Sequence, residues 1–139
     1  MGELITNGDF EDGLTGWSVG NGDAQRPYAD NIPPYSGTYY LLLQTFASQT
    51  FPVTGAGALA VSFTACSYSA GRTVDVSASF DGATTTTTVT PPVGSWGVFA
   101  LTFEVPAGAT TGVLKLTPAG GAARIDTVSA VSSPAGGGQ

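Results

Sequence analysis

Apolar and polar residues alternate with a period of two along most of this chain. Leu59, Val61, Phe63 and Ala65 share one side of an extended segment; Val74, Val76, Ala78 and Phe80 share another, with Asp75, Ser77 and Ser79 between them. Phe99, Leu101, Phe103 and Val105 make a third such row, and Leu114 and Leu116 flank Lys115 in a fourth. This period, repeated in segment after segment, predicts antiparallel strands with one buried face. No stretch holds the 3.6-residue period of a helix. Turn signals punctuate the rows: Pro52 to Gly57, Ser69-Ala70-Gly71, Pro91-Pro92-Val93-Gly94, Pro106-Ala107-Gly108 and Pro118 to Gly121. Asp81-Gly82 is a two-residue hairpin signal, because both residues tolerate positive φ. Strands are expected near 3–6, 9–11, 16–19, 38–45, 47–52, 58–68, 72–80, 83–90, 96–105, 111–117 and 123–132. That number of strands fills two packed sheets, so the expected class is an all-β antiparallel sandwich. A chain of 139 residues is one domain, long enough to bury a core without disulfides or metals to staple it.

Three segments break the pattern. Thr84 to Thr88 is an unbroken run of threonines, β-branched and so strand-favouring, but with no apolar face of its own. It is expected to be an edge strand at a subunit contact. Residues 20–37 form the one long irregular stretch, and loops of that length inside a compact domain are commonly functional. The Gly-rich residues 133–139 read as a tail held by a neighbouring subunit, leaving 1–132 as the sandwich.

Charge narrows the function. Charged residues are 10% of the chain, against roughly 25% in an average soluble domain, so Ser, Thr and backbone groups must solvate much of the surface. The net charge is −6, with Arg26, Arg72, Lys115 and Arg124 as the cations. Nucleic-acid binding calls for a basic patch that these four cannot supply. Anionic lipid would repel the chain, and no apolar run is long enough to span a bilayer. Met1-Gly2-Glu3 is neither basic nor apolar, so no secretory signal opens the chain. This suits either use without such export or excision from a longer secreted protein. Gly2 followed by Thr6 also fits a loose myristoylation pattern. The single Cys66 precludes an internal disulfide and reads as a small buried hydrophobe. With no His, there is no Ser-His-Asp or Cys-His arrangement, and a zinc site is not expected. The carboxylates offer no evident pair for glycoside hydrolysis, and Gly120-Gly121 lacks the Lys-Ser/Thr of a phosphate loop. The chain is therefore expected not to be an enzyme.

Near the start the sequence reads Leu4-Ile5-Thr6-Asn7-Gly8-Asp9-Phe10-Glu11, then Gly16-Trp17; near the end it reads Arg124-Ile125-Asp126-Thr127-Val128. Between them lie Ser36-Gly37-Thr38-Tyr39-Tyr40-Leu41, Ser48-Gln49-Thr50-Phe51-Pro52-Val53, and Ser95-Trp96 followed by Phe99 to Phe103. In this order, over residues 4–132, these segments resemble carbohydrate-binding-module-like jelly rolls, the galactose-binding-like β-sandwiches. The resemblance implies a core containing Phe10, Trp17, Phe63, Trp96 and Phe103. It also implies a structural Ca²⁺ held by Asp9 or Glu11, the carbonyl of Gly37, and Asp126. The alternative is that Arg124 or backbone amides satisfy these acids.

The binding region is expected in the long loop. Tyr28 and Tyr35 are the stacking candidates, with Tyr68 next; Asn21, Asp23, Gln25, Arg26, Asp30 and Asn31 would supply hydrogen bonds. The leading expectation is a phage virion-associated jelly roll, a head decoration, cement or tail-associated protein. It would form a homo-oligomer, a trimer by preference, and attach to capsid or tail subunits. The alternative is a carbohydrate-binding module of a secreted glycoside hydrolase or adhesin, extracellular and glycan-bound.

Overall fold

A computed structural model describes residues 3–20, 23–26, 34–53 and 57–134. They form β1 (Ser18–Val19), β2 (Ala24–Arg26), β3 (Tyr40–Leu43), β4 (Ala47–Pro52), β5 (Gly57–Ser67), β6 (Thr73–Phe80), β7 (Ala83–Val89), β8 (Gly97–Val105), β9 (Thr111–Ala119) and β10 (Ala123–Pro134). Two antiparallel five-stranded sheets result, one ordered β1-β4-β9-β6-β7 and the other β2-β3-β10-β5-β8. The all-β sandwich read from the alternation is the fold.

The apolar rows meet between the sheets. Leu59, Val61 and Phe63 of β5, Phe103 and Val105 of β8, and Ile125 of β10 join Phe51, Val74, Val76, Phe80, Leu114 and Leu116 in one buried cluster. Each side chain of this size contributes about 1.5–3 kcal/mol when fully buried. Phe10 and Trp17 belong to the same cluster, their ring centroids 5.2 Å apart. Trp96, expected in the core, is not there. It is only half-buried and packs edge-on against Tyr35 and Tyr40. Strand parity gives the reason: the inward residues at the start of β8 are odd-numbered (Phe99, Leu101, Phe103), so an even-numbered neighbour turns outward.

The expected strands at 3–6 and 9–11 are not formed. Glu3 makes an isolated bridge to Val131, and residues 6–16 run through bends and turns. Asn7 and Phe10 have φ of 54° and 59°, incompatible with a strand. The Asn7 side chain organises these turns, donating to the carbonyls of Asp12, Gly13 and Thr15 and accepting from the Asp12 N–H. Conversely, β2 lies within the segment read as irregular, and β10 runs two residues past the expected domain end. Asp81-Gly82 joins β6 to β7 with φ of 51° and 96°, both positive as a type I′ hairpin demands.

The N-terminal segment is tied in by side chains standing in for a ladder. The buried amide of Gln49 accepts from the Thr6 N–H and donates to the Thr6 carbonyl. We expect Gln49→Leu to lower the unfolding free energy by about 2 kcal/mol, because it strips partners from two backbone groups. Thr50→Ala, at an exposed neighbour, should stay within about 0.5 kcal/mol; urea denaturation of both variants measures the difference.

Candidate functional site

Two arrangements on the β2-β3-β10-β5-β8 sheet gather the chemistry. The first lies where the opening segment meets β10. The β5–β10 register shifts between Asp126 and Ser129, and Thr127 at that bulge has φ of 52°. A β-branched residue rarely holds such a backbone, and strain of this kind persists only where neighbours enforce it. Here the Val128 N–H donates to the Gly8 carbonyl at 2.8 Å. Gly8 is obligatory at this crossing: a Cβ there would lie 1.9 Å from the Val128 oxygen.

The bulge leaves Asp126 fully buried, accepting from the Ser36 N–H at 3.0 Å and the Thr127 N–H at 2.8 Å. The exposed Glu11 bonds the same Ser36–Tyr39 stretch, accepting from the Thr38 and Tyr39 N–H groups. Gly37 has a φ of 67°, which favours glycine, and the Glu11 carboxyl carbon sits 2.6 Å from where a Cβ there would be. Burial pushes the Asp126 carboxyl up to about 6; the Ser36 and Thr127 N–H groups pull the other way, and the nearby Glu11 charge adds to the rise. The structure thus joins Glu11, Gly37 and Asp126, and of the two expected acids it is Glu11 rather than Asp9 that comes to Gly37. Asp9 accepts from the Glu11 N–H within its own turn. Both acids accept from backbone amides, Asp126 from Ser36 and Thr127 and Glu11 from Thr38 and Tyr39.

The second arrangement is a ribbon of rings on the outer face of the same sheet. Ile125 points into the core, so Arg124 and Asp126 point outward with Tyr40 of β3 and Thr64 and Cys66 of β5. Arg124 is 4% exposed; its Nε donates to the Tyr40 hydroxyl at 3.2 Å, and its guanidinium lies 4.8 Å from the Tyr68 ring centroid. A desolvated cation over an aromatic face is worth about 2 kcal/mol. On the other side, Tyr40 meets Trp96 at 5.9 Å and Trp96 meets Tyr35 at 6.2 Å, both edge-to-face. Tyr35, Trp96, Tyr40, Arg124 and Tyr68 therefore run in contact. Its two ends, Tyr35 and Tyr68, are 48% and 53% exposed, and Val93 and Val98 are exposed as well. Only the ends of the row are open to water; Tyr40 and Arg124 between them are buried and Trp96 is half-buried.

The polar candidates divide differently. Asp23 accepts from the N–H groups of Gly20, Gln44, Thr45 and Phe46, which makes it the clamp of the β3–β4 turn. Gln25 donates to the Phe10 carbonyl at 2.7 Å. Both were expected to face a ligand, and both instead hold loops. Arg26 pairs through its backbone with Tyr40; its side chain, Asn21, Tyr28, Asp30 and Asn31 lie outside the described residues. Cys66 is buried as expected, and burial pushes its thiol up despite the opposing Arg124 charge, so it stays protonated and unreactive at neutral pH. Among the described residues no three His, Cys, Asp or Glu side chains gather into a metal-binding group, and no helix is long and apolar enough to cross a membrane.

Asp126 carries a pH prediction. Its folded value, about 6, lies above the ordinary 3.8. Between these values the folded chain holds more protons than the unfolded one, so its contribution is full at low pH and is lost as pH rises through about 6. In EDTA, the stability of the wild type relative to Asp126→Asn should therefore fall from about pH 4 to about pH 7. Thermal unfolding across that range checks this, and a flat difference would contradict it.

No family model matches the sequence, and no curated protein matches it either. Solved structures do. A family 16 carbohydrate-binding module superposes with a TM-score of 0.72 at 20% identity, covering 92% of this chain and 99% of its own. The module TmCBM61, solved with β-1,4-galactotriose, gives 0.69 at 16% identity over 96% of this chain and all of its own. The enzymatically active domain of bacteriophage CBA120 tailspike protein 4 also gives 0.69, at 17% identity, over 94% of this chain but 21% of the tailspike chain.

Proposed function

We propose that this chain is a carbohydrate-binding β-sandwich that performs no catalysis and takes its glycan across the outer face of the β2-β3-β10-β5-β8 sheet. The fold carries the first step: it is the jelly roll of carbohydrate-binding modules, as the opening and closing motifs implied. The exposed rings at the two ends of the contact row, Tyr35 and Tyr68, carry the second. Sugar rings present C–H faces that stack on exposed aromatic rings, and the tyrosine hydroxyls and nearby backbone supply directional hydrogen bonds. Arg124 acts from beneath, holding the Tyr40 and Tyr68 rings in place. An extracellular setting, as part of a secreted protein, follows from this reading.

A virion role is the second reading. The tailspike similarity favours it, since that jelly-roll-like region belongs to a phage particle. Attachment to capsid or tail subunits would then accompany glycan contact. The carbohydrate-binding modules match along their whole length, which is why the glycan reading leads.

A structural Ca²⁺ belongs to the same proposal. The donor chemistry fits. The Glu11 charge adds to the rise at the buried Asp126 carboxyl, and each carboxylate keeps acceptor capacity beyond its backbone N–H bonds. Hard oxygens without nitrogen or sulfur suit Ca²⁺ rather than zinc. Glu11 and Asp126 would hold the ion with backbone carbonyls of the Ser36–Gly37 turn, and the ion would cross-link the opening segment, that turn and β10.

Calorimetric titration with β-1,4-galactan and xylan tests the glycan reading. Tyr68→Ala should weaken binding at least about tenfold, the loss expected when a ring that stacks with the ligand is removed. Thr50→Ala, exposed on β4 of the other sheet, should leave it unchanged. Absence of binding to any of a broad glycan panel would overturn the proposal. For the ion, adding Ca²⁺ should raise the melting temperature by several degrees and EDTA should reverse it, with no response in Glu11→Gln. A melting temperature indifferent to both would remove Ca²⁺ from the account.

A further inference from the structure

We infer that the threonine strand β7 is a self-pairing edge, and that two copies of this chain join through it about a two-fold axis. β7 pairs with β6 and terminates its sheet. Residues 83–88 are all exposed. Natural edge strands are normally blunted by lysine, proline, a bulge or shortness. β7 has none of these: it is seven residues long, in continuous register with β6 from Ala83 to Val89. The opposite edge of the same sheet, β1, has two residues.

The free hydrogen-bonding groups of β7 can be assigned. Phe80 and Ala83 flank the two-residue turn and form its closing hydrogen-bonded pair. Alternation along an antiparallel ladder then places the N–H and C=O of Thr85 and Thr87 toward β6, and those of Thr84, Thr86 and Thr88 toward the open side. An approaching strand meets three evenly spaced threonines. Their side chains are fixed on the outer face: the Ser79 and Thr84 hydroxyls are hydrogen-bonded at 2.6 Å, and the Thr88 hydroxyl donates to Asp75 at 2.6 Å. Thr85 and Thr87 lie on the other face, opposite the buried Ala78 and Val76, yet both remain exposed. The strand thus overhangs the core.

A second copy fits this edge better than any other strand on two grounds. A threonine tract is its own complement. Centred on Thr86, the antiparallel register sets Thr84 against Thr88 and Thr86 against Thr86, and cross-strand threonine pairs are favourable. The chain also carries a net charge of −6, and β7 is the long edge without a charged residue. Two acidic copies can approach there with least repulsion. The contact is isologous and closes at two, so the state it builds is a dimer rather than the trimer expected from the sequence.

Sedimentation velocity over a wide concentration range, on the intact chain, tests this. The wild type should show a reversible monomer–dimer equilibrium. Thr86→Lys places two ammonium groups together at the axis and should raise the dissociation constant at least about tenfold. Thr50→Lys, the same change on another exposed strand position, should leave it unaltered. Amide hydrogen exchange on the unaltered chain gives an independent readout. The amides of Thr84, Thr86 and Thr88 should gain protection as concentration rises, and those of Thr85 and Thr87 should be protected throughout. A wild type that stays monomeric, a trimer, a dimer insensitive to Thr86→Lys, or an exchange pattern independent of concentration would each overturn the inference.

Discussion

The structure depends on one irregularity, the bulge at Asp126 to Ser129 in β10. β10 lies between β3 and β5 over its first residues and then pairs with β5 alone. The bulge frees its other edge for the opening segment: Val128 bonds the Gly8 carbonyl, and Leu4 bonds the Ala130 carbonyl. Glu3 completes the join, accepting from the Ala130 N–H. The two ends of the chain, 126 residues apart at Glu3 and Ser129, are held together in this way. A bulge also re-aims side chains, and this one sets Asp126 against the Ser36–Tyr39 stretch, which Glu11 also bonds. A cost follows, because the Asp126 carboxyl is buried with the exposed Glu11 charge nearby.

Scarcity of charge shapes the rest of the surface. With few ionic groups, the protein solvates its sheets through hydroxyls. The β1-β4-β9-β6-β7 sheet shows this on its outer side, where Ser77 and Ser79 of β6 stand beside Thr84 and Thr86 of β7. The other sheet departs from the rule. Its outer side carries hydroxyls too, at Ser62, Thr64 and Thr102, but adds rings, the exposed Val98 and a buried guanidinium. Two sheets of one sandwich, built by the same alternation, therefore present different chemistry on their outer sides.

Several features could be read before folding, because they are local. The inward rows came from alternation. The Asp81-Gly82 hairpin came from the φ that those residues tolerate. The edge position of Thr84 to Thr88 came from the lack of an apolar face. Parity would also have corrected Trp96: counted back from Phe99, Leu101 and Phe103, it falls on the outer face. The same count, applied to Ala65 and Ile125, puts Cys66 and Arg124 outside. The opening segment misled for an equally local reason. Its apolar residues look like a strand, but Asn7 and Phe10 adopt positive φ in turns that the Asn7 side chain and carbonyl hold together.

The sequence by itself determined the sandwich, most of its core, its turns and its lack of catalytic histidine, since these rest on periodicity, composition and intrinsic backbone preference. Only the tertiary structure decided which strands lie side by side, and the site depends on that. Tyr35, Tyr40, Tyr68, Trp96 and Arg124 come from separate segments and touch because β3, β10 and β5 are neighbours. The same holds for Asp23, whose carboxylate is claimed by turn amides some twenty residues away. Strand order follows from the pairing of whole sheets, a non-local free-energy balance that no single segment encodes.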